Sequence, residues 1–153
     1  MIKKAESLAT EYHKGMTDKY DNPYMEHLER VAGRVRDMEY DFVDETSEIE
    51  LYVTAAYLHD IIEDTDIKVE DLVAMFSEEV IAAIFRLTRE KGTTYAEYIE
   101  AVKKSGNSWA IAVKIADLKT NLNGAPASLA PRYTKALESL SNCWVNTFCL
   151  GGI

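Results

Sequence analysis

The chain has 153 residues, of which 47% are hydrophobic and 28% charged, and its formal net charge is −9. This length suits one domain with a sizeable core. The negative charge argues against a nucleic-acid polymer as a partner, because phosphate backbones bind basic surfaces. No apolar run is long enough to cross a bilayer, so we expect no membrane partner.

The first residues, Met1 to Lys4, lack the apolar stretch of a secretory signal. Cys143 and Cys149 lack the spacing of a metal finger, and we expect them to be reduced thiols. These features predict a cytoplasmic protein. The composition does not indicate an oligomeric state, so a homo-oligomer stays open.

Apolar residues recur at helical spacing along most of the chain, and strand-like alternation is hard to find. Pro23 is well placed to open a helix, and Gly92 to separate two others. The predicted helices cover residues 2–14, 23–37, 49–58, 69–75, 78–89, 95–104, 109–121 and 132–148. The sequence therefore predicts an all-α, single-domain helical bundle that spans residues 1–153.

One segment of this bundle, LHDIIEDT at residues 58–65, combines a histidine with three carboxylates directly after a buried helix. If the helix continues, His59 and Glu63 share a face, and so do Asp60 and Asp64. Negative charge in such poorly solvated surroundings is costly unless a cation or a proton offsets it. Taken alone, Glu63 and Asp64 are better explained as a solvated acidic helix end.

Further polar residues that lie in apolar helices support a functional role for this segment. His27, His59, Asp60 and Asp117 form a mixed nitrogen and oxygen set, which suits a six-coordinate Mn or Fe ion, and zinc could occupy it by affinity alone. On one continuous helix His59 and Asp60 diverge by about a third of a turn. An ion must then lie over the seam between them, with His27 and Asp117 arriving from other helices.

Each of these residues also has an ordinary explanation. His27 could be a histidine at a helix start, and Asp117 could form a salt bridge with Lys114 or Lys119. His13 lies at a predicted helix end, where an imidazolium would suit the helix dipole. We therefore expect His13 to have no part in a site.

Three segments in order, NPYMEH at residues 22–27, LHDIIEDT at 58–65 and VKIADLKTN at 113–121, resemble the HD-domain phosphohydrolases. More narrowly, the chain resembles their guanosine tetraphosphate hydrolase branch, over residues 5–140. The resemblance implies an all-helical bundle with a central metal site. It also implies release of pyrophosphate from a 3′-diphosphorylated guanosine nucleotide, a small-molecule substrate.

The resemblance assigns roles to individual residues. It implies one divalent ion, Mn²⁺ first, with Fe, Co, Ni and Zn as alternatives. The implied ligands are His27, His59, Asp60 and Asp117. The implied catalytic pair is Glu63 and Asp64, and the implied nucleotide contacts are Lys19, Asn121 and Tyr133.

The chain departs from this branch at two positions. Asp18 stands where the alarmone hydrolases typically carry an arginine before Lys19, and Leu118 stands where they carry one after Asp117. These changes leave the ligand set intact but weaken the case that the protein discriminates strictly between guanine and other bases. Two alternatives stay open: an HD-family phosphohydrolase for other nucleotides or deoxynucleotides, and a non-catalytic alarmone-binding module. The complete ligand set speaks against the second.

Overall fold

The computed structural model describes residues 1–40 and 46–149, with the backbone alone for residues 39, 40, 46 and 145–149. Within these ranges it contains nine α-helices, no strand, and an isolated bridge between Thr17 and Pro23. The helices are α1 (Ile2–Tyr12), α2 (Tyr24–Tyr40), α3 (Thr46–Leu58), α4 (Ile61–Asp64), α5 (Val69–Met75), α6 (Glu78–Leu87), α7 (Tyr95–Lys104), α8 (Ser108–Leu122) and α9 (Ala130–Cys149). The predicted all-α bundle is confirmed. Within the described ranges, no helix combines the length and the apolar character that a membrane span requires.

Two helices form the centre of the bundle. The second half of α3, residues 52–58, is buried without a break, and α8 is buried from Ala110 to Leu118. Because both helices are apolar on nearly every side, they are stable only when other helices surround them. α3 packs against α1, α2, α6 and α8, while α8 also contacts α2 and α9. This arrangement places the end of α3 next to the middle of α8.

The central helix does not continue through residues 59–64, and α3 ends where the predicted helix 49–58 ends. α3 ends at Leu58, His59 and Asp60 form a turn, and α4 is a separate helix of one turn. Asp60 has φ −105° and ψ 0°, which lies in the sparsely allowed bridge region. The break lets neighbouring side chains converge, since His59 Nε2 and Asp60 Oδ2 are 2.8 Å apart.

The loop before α2 is held in place by its own side chains. Asp18 Oδ1 accepts hydrogen bonds from the backbone N–H groups of Tyr20 and Asn22, at 2.8 and 3.0 Å. The Tyr20 hydroxyl donates to the backbone carbonyl of Asn121 in α8 at 2.9 Å. The carboxylate of Asp18 therefore stabilises the turn that positions Lys19.

His13 is buried, contrary to the expectation of an imidazolium at a helix end. Its Nδ1 donates to the Ala9 carbonyl at 3.0 Å, and its ring stacks on Tyr24 with centroids 4.9 Å apart. Its Nε2 is buried with no hydrogen-bond partner among the described residues. Burial lowers the pKa of His13, because desolvation disfavours the charged ring, so the neutral form is the stable one here.

Replacing His13 by asparagine should make stability less dependent on pH. The folded-state pKa of His13 lies below the ordinary value of 6.5, so the unfolded chain binds the proton first as the pH falls. The stabilisation by neutral His13 is complete above about pH 6.5 and is lost as the pH falls further. Asparagine does not titrate and can still donate to Ala9. Urea unfolding at pH 7.5 and 5.5 measures the difference, and an equal loss of stability in both proteins would contradict the assignment.

Leu118 is fully buried in the middle of α8. It follows Asp117 directly, but its side chain belongs to the core and does not line the cavity described below. An arginine at this position would place a guanidinium in the core of this chain without a carboxylate partner.

We therefore expect Leu118→Arg to destabilise the protein by about 3–5 kcal/mol, the usual cost of an uncompensated buried charge. The control Leu118→Met keeps the volume and should cost less than about 1.5 kcal/mol. Chemical denaturation of the three proteins measures both effects. Wild-type stability in the arginine variant would mean that the side chain reaches solvent or the cavity.

Candidate functional site

A cavity of about 310 Å³ opens where α2, α4, α7, α8 and α9 meet. Most of the predicted site residues line it: Lys19, His27, Asp60, Glu63, Asp64, Asp117, Asn121 and Tyr133. His59 is 1% exposed and lies behind this wall, in contact with Asp60. Other lining residues are Thr17, Asp18, Tyr24, Arg89, Tyr95, Tyr98, Lys114 and Arg132. The structure thus brings all nine predicted residues to one place.

Two histidines and two carboxylates converge at the inner end of this cavity. We call them the histidine group: His27, His59, Asp60 and Asp117. His59 Nε2 is 2.8 Å from Asp60 Oδ2 and 3.7 Å from Asp117 Oδ1, and His27 Nε2 is 3.1 Å from the same Asp117 oxygen. One ligand atom each of His27, His59 and Asp60 lies within 4.8 Å of the others. Asp117 joins this group through its contacts with both imidazoles.

The atoms of this group fit a divalent ion. His59 Nδ1 lies 2.7 Å from the Ala56 carbonyl, which can only accept, so Nδ1 carries the proton. In the neutral ring, Nε2 then presents a lone pair. The carboxylate oxygens nearby can only accept hydrogen bonds, so this buried nitrogen has no donor among the described residues. Metal-binding histidines are commonly fixed by such a carbonyl. Nitrogen and carboxylate oxygen donors together suit Mn, Fe or Zn.

The electrostatics of the histidine group also indicate a site for a cation. Burial alone would lower the pKa of His59, but the charges of Asp60 and Asp117 outweigh it and raise this pKa well above 6.5. Burial would raise the pKa of Asp60, but His59 holds it at about 2. The two carboxylates therefore require positive charge between them, which either a proton or a metal ion can supply.

Neighbouring side chains hold both carboxylates in place. The Tyr24 hydroxyl donates to Asp60 Oδ2 at 2.5 Å. Lys114 Nζ donates to Asp117 Oδ2 at 2.7 Å, and Asn121 Nδ2 donates to Asp117 Oδ1 at 2.8 Å. Burial favours the neutral acid, but Lys114 and the histidines keep the pKa of Asp117 well below its usual range. The salt bridge considered for Asp117 is thus present alongside its contacts with the histidines.

The acidic pair lies on α4, beside this group. Glu63 Oε2 accepts a hydrogen bond from the backbone N–H of Arg89 at 2.9 Å, and the Arg89 guanidinium donates to the Thr93 carbonyl. The segment after α6 therefore holds Glu63. Burial of the carboxyl group and the charges of Asp60 and Glu63 raise the pKa of Asp64 to about 6. The two carboxyl groups thus have different surroundings, as acid–base chemistry requires.

Two predicted nucleotide contacts meet at the outer part of the cavity. Lys19 Nζ donates to the Tyr133 hydroxyl at 2.6 Å and lies 4.4 Å from the centre of that ring. Tyr133 packs edge-on against Tyr95 with centroids 6.2 Å apart, and Arg132 lies 4.3 Å above the Tyr95 ring. Cations and aromatic rings together suit a phosphorylated aromatic ligand.

The sequence motifs assign no role to Tyr24, Arg89, Tyr95 or Arg132, although Tyr24 stands inside one of the three segments. The salt bridge with Asp117 was expected for Lys114 or Lys119, and a lysine within a buried helix three residues before Asp117 is a usable signal. Arg89, Tyr95 and Arg132 are ordinary members of amphipathic segments, and nothing in their spacing distinguishes them.

Comparisons with known proteins agree with the fold and with the resemblance of the three segments. A probable guanosine-3′,5′-bis(diphosphate) 3′-pyrophosphohydrolase of Synechocystis sp. is 34% identical over 89 residues, which are 58% of this chain and only 11% of that protein. A solved structure described as a metazoan ortholog of SpoT that hydrolyzes ppGpp shares the fold, with a TM-score of 0.72 and 22% identity over 96% of this chain and 86% of that one. The HD domain family model matches residues 24–143. The chain therefore belongs to the HD domain family.

Proposed function

We propose that this chain is a metal-dependent phosphohydrolase that removes the 3′-pyrophosphate group from a guanosine nucleotide such as guanosine tetraphosphate. The observation that carries the proposal is the convergence of two imidazole nitrogens and two carboxylates in a cavity that also holds the acidic pair. The names of the Synechocystis relative and of the metazoan structure support the choice of nucleotide.

In this proposal His27, His59, Asp60 and Asp117 hold one divalent ion, for which the mixed donor set favours Mn²⁺. A bound divalent ion supplies the positive charge that acidifies water and offsets charge on a phosphoryl group. Tyr24 donates to the Asp60 oxygen that faces His59, and Lys114 holds the Asp117 oxygen that faces away from the histidines, so both carboxylates keep their orientation when substrate enters.

The acidic pair performs the proton transfers. Water attacks the phosphorus that is bonded to the 3′ oxygen, and the bond between that phosphorus and the 3′ oxygen breaks. Glu63, fixed by the N–H of Arg89, orients the attacking water and takes its proton. Asp64, whose pKa is raised by burial and by the charges of Asp60 and Glu63, donates a proton to the leaving oxygen. Pyrophosphate and a nucleotide with a free 3′ hydroxyl are the products.

The residues that line the cavity also help to choose between the alternative functions. A binding module has no use for an acidic pair beside the histidine group, so the non-catalytic alternative is disfavoured. Hydrolysis of a different nucleotide remains the second choice. Asp18 brings no positive charge to the cavity, and its carboxylate stabilises the loop that carries Lys19. Since an aspartate cannot stack on a purine as a guanidinium can, we expect the guanosine and adenosine forms of a 3′-pyrophosphorylated substrate to differ by less than about tenfold in kcat/KM.

The direct test is incubation of the purified protein with Mn²⁺ and guanosine tetraphosphate, followed by identification of the products. Equal amounts of pyrophosphate and guanosine diphosphate are expected. A panel of ordinary nucleotides and deoxynucleotides in the same assay separates the second choice from the first.

Asp117→Asn should lose most of the bound metal while the protein stays folded. An amide is a weaker ligand than a carboxylate but can still accept the hydrogen bond from Lys114, whereas alanine would leave that lysine buried without a partner. Elemental analysis measures the metal, and circular dichroism the fold. Asp18→Asn is the matched control, and its occupancy should equal that of the wild type. Full occupancy in the Asp117 variant would remove this residue from the ligand set.

Glu63→Gln should keep the metal and lower turnover by at least about tenfold, because glutamine cannot accept the proton. Asp66→Asn is a suitable control, since Asp66 is exposed and lies outside the cavity. Steady-state release of pyrophosphate measures turnover, and elemental analysis verifies the metal content. If turnover is unchanged in a fully loaded Glu63 variant, this residue is not the base.

A further inference from the structure

Lys114 lines the cavity as an almost fully buried cation, yet the proposed reaction gives it no contact with substrate. It is 8% exposed and lies in α8, three residues before Asp117. Lysine is seldom buried to this extent unless its charge has a partner or a use. The resemblance to the related hydrolases assigns no role to this residue.

The Lys114 ammonium has more donors than its partner uses. Its Nζ donates to Asp117 Oδ2 at 2.7 Å, and no other acceptor among the described residues takes a hydrogen bond from it. An ammonium group carries three N–H donors. The remaining donors therefore lack an acceptor in the part of the chain that the structure describes, and an anion in the cavity can supply one.

Two aromatic rings of α7 lie beside this ammonium. Lys114 Nζ is 5.2 Å from the centre of the Tyr98 ring and 5.9 Å from that of Tyr95. The Tyr98 hydroxyl donates to the Leu87 carbonyl at 2.6 Å, so it is engaged elsewhere. Aromatic rings attract a cation but do not replace an oxygen acceptor. The rings thus hold the ammonium at the cavity wall without using its hydrogen bonds.

Holding Asp117 in place does not by itself explain a lysine. The amide of Asn121 holds the other Asp117 oxygen at 2.8 Å without any charge. An ammonium costs more desolvation than an amide, and its charge weakens the attraction of the same carboxylate for a metal ion. The positive charge of Lys114 is therefore explained better by an anion that enters the cavity.

The pyrophosphate group of the proposed substrate needs a cation at the inner end of the cavity. It must lie beside Glu63 and Asp64 to react, and ionised carboxylates repel it there. Within the described ranges the cavity wall contains four cations: Lys19, Arg89, Lys114 and Arg132. Of these, Lys114 is the one that is hydrogen-bonded to the histidine group.

We propose that Lys114 is a further catalytic residue, whose ammonium binds the pyrophosphate group that the reaction releases while it keeps its bond to Asp117. This inference rests on the proposed function and adds a residue to it. A cation fixed in a site with little water stabilises negative charge on phosphoryl oxygens without reorganisation of solvent. The free pyrophosphate product should make the same contact, so it is a probe that needs no turnover.

Calorimetric titration of the Mn²⁺-loaded protein with inorganic pyrophosphate tests the contact. Lys114→Gln should weaken pyrophosphate binding by at least about tenfold, the scale of one charge-assisted hydrogen bond. The amide of glutamine can still donate to Asp117, so the metal content, measured by elemental analysis, should equal that of the wild type. Loss of the metal would mean that Lys114 serves only to hold Asp117. That result, or unchanged pyrophosphate affinity at full metal content, would overturn the inference.

Lys119→Gln is the matched control. Lys119 is an exposed lysine of the same helix and does not line the cavity. This variant removes the same charge and should bind pyrophosphate as the wild type does. An equal loss of affinity in both variants would mean that net charge, and not contact with Lys114, sets the affinity, which contradicts the inference.

A measurement on the wild-type protein decides the case if Lys114→Gln does not fold. In the zinc-loaded protein, which is diamagnetic, pyrophosphate should shift the NMR resonance of the Lys114 Cε group and leave that of Lys119 in place. An unmoved Lys114 resonance at saturating pyrophosphate would show that the ligand does not reach this ammonium, and the inference would fail.

The same titrations separate failure of the inference from failure of the proposed function. Pyrophosphate binding that depends on Lys114, without hydrolysis of guanosine tetraphosphate, would overturn the proposed reaction and leave the contact standing. Hydrolysis by the wild type, together with wild-type pyrophosphate affinity in a metal-loaded Lys114→Gln protein, would overturn the inference alone.

Discussion

The buried carboxylate of Asp117 is the constraint on which the rest of the site depends. It lies in the middle of α8, a helix that is otherwise core, so its charge must be compensated by neighbours and not by water. Lys114 compensates one oxygen at 2.7 Å, and the two histidines face the other. Since those histidines come from α2 and from the end of α3, the same electrostatic requirement ties three helices together.

The turn at His59 and Asp60 shows how the backbone meets this requirement. A continuous helix would direct the two side chains about a third of a turn apart. Ending α3 at Leu58 gives up regular helical hydrogen bonding there, but it brings His59 Nε2 and Asp60 Oδ2 to 2.8 Å. Unusual backbone conformations of this kind are common where function demands a particular geometry. The short α4 that follows then carries the acidic pair along the same wall of the cavity.

The two departures from the related hydrolases have different physical meanings. Asp18 uses its carboxylate to cap its own loop, which in turn positions Lys19. Leu118 belongs to the core of α8 and faces away from the cavity. Positive charge comes instead from Lys19 and Arg132, which are carried by the frame of Tyr95 and Tyr133. An acidic protein thereby keeps a locally cationic rim.

The sequence by itself determined the helical class, most helix positions and the residues of the histidine group. Helical periodicity is a local property, and a polar residue in an apolar helix such as Asp117 stands out without knowledge of its neighbours. Only the tertiary structure decided the break after Leu58, the neutral state favoured for His13 and the place of Arg132 beside Tyr95. Each of these depends on burial and on contacts between segments distant in the chain, which local spacing does not encode. For the same reason Leu118, adjacent to Asp117 in sequence, turned out to belong to the core.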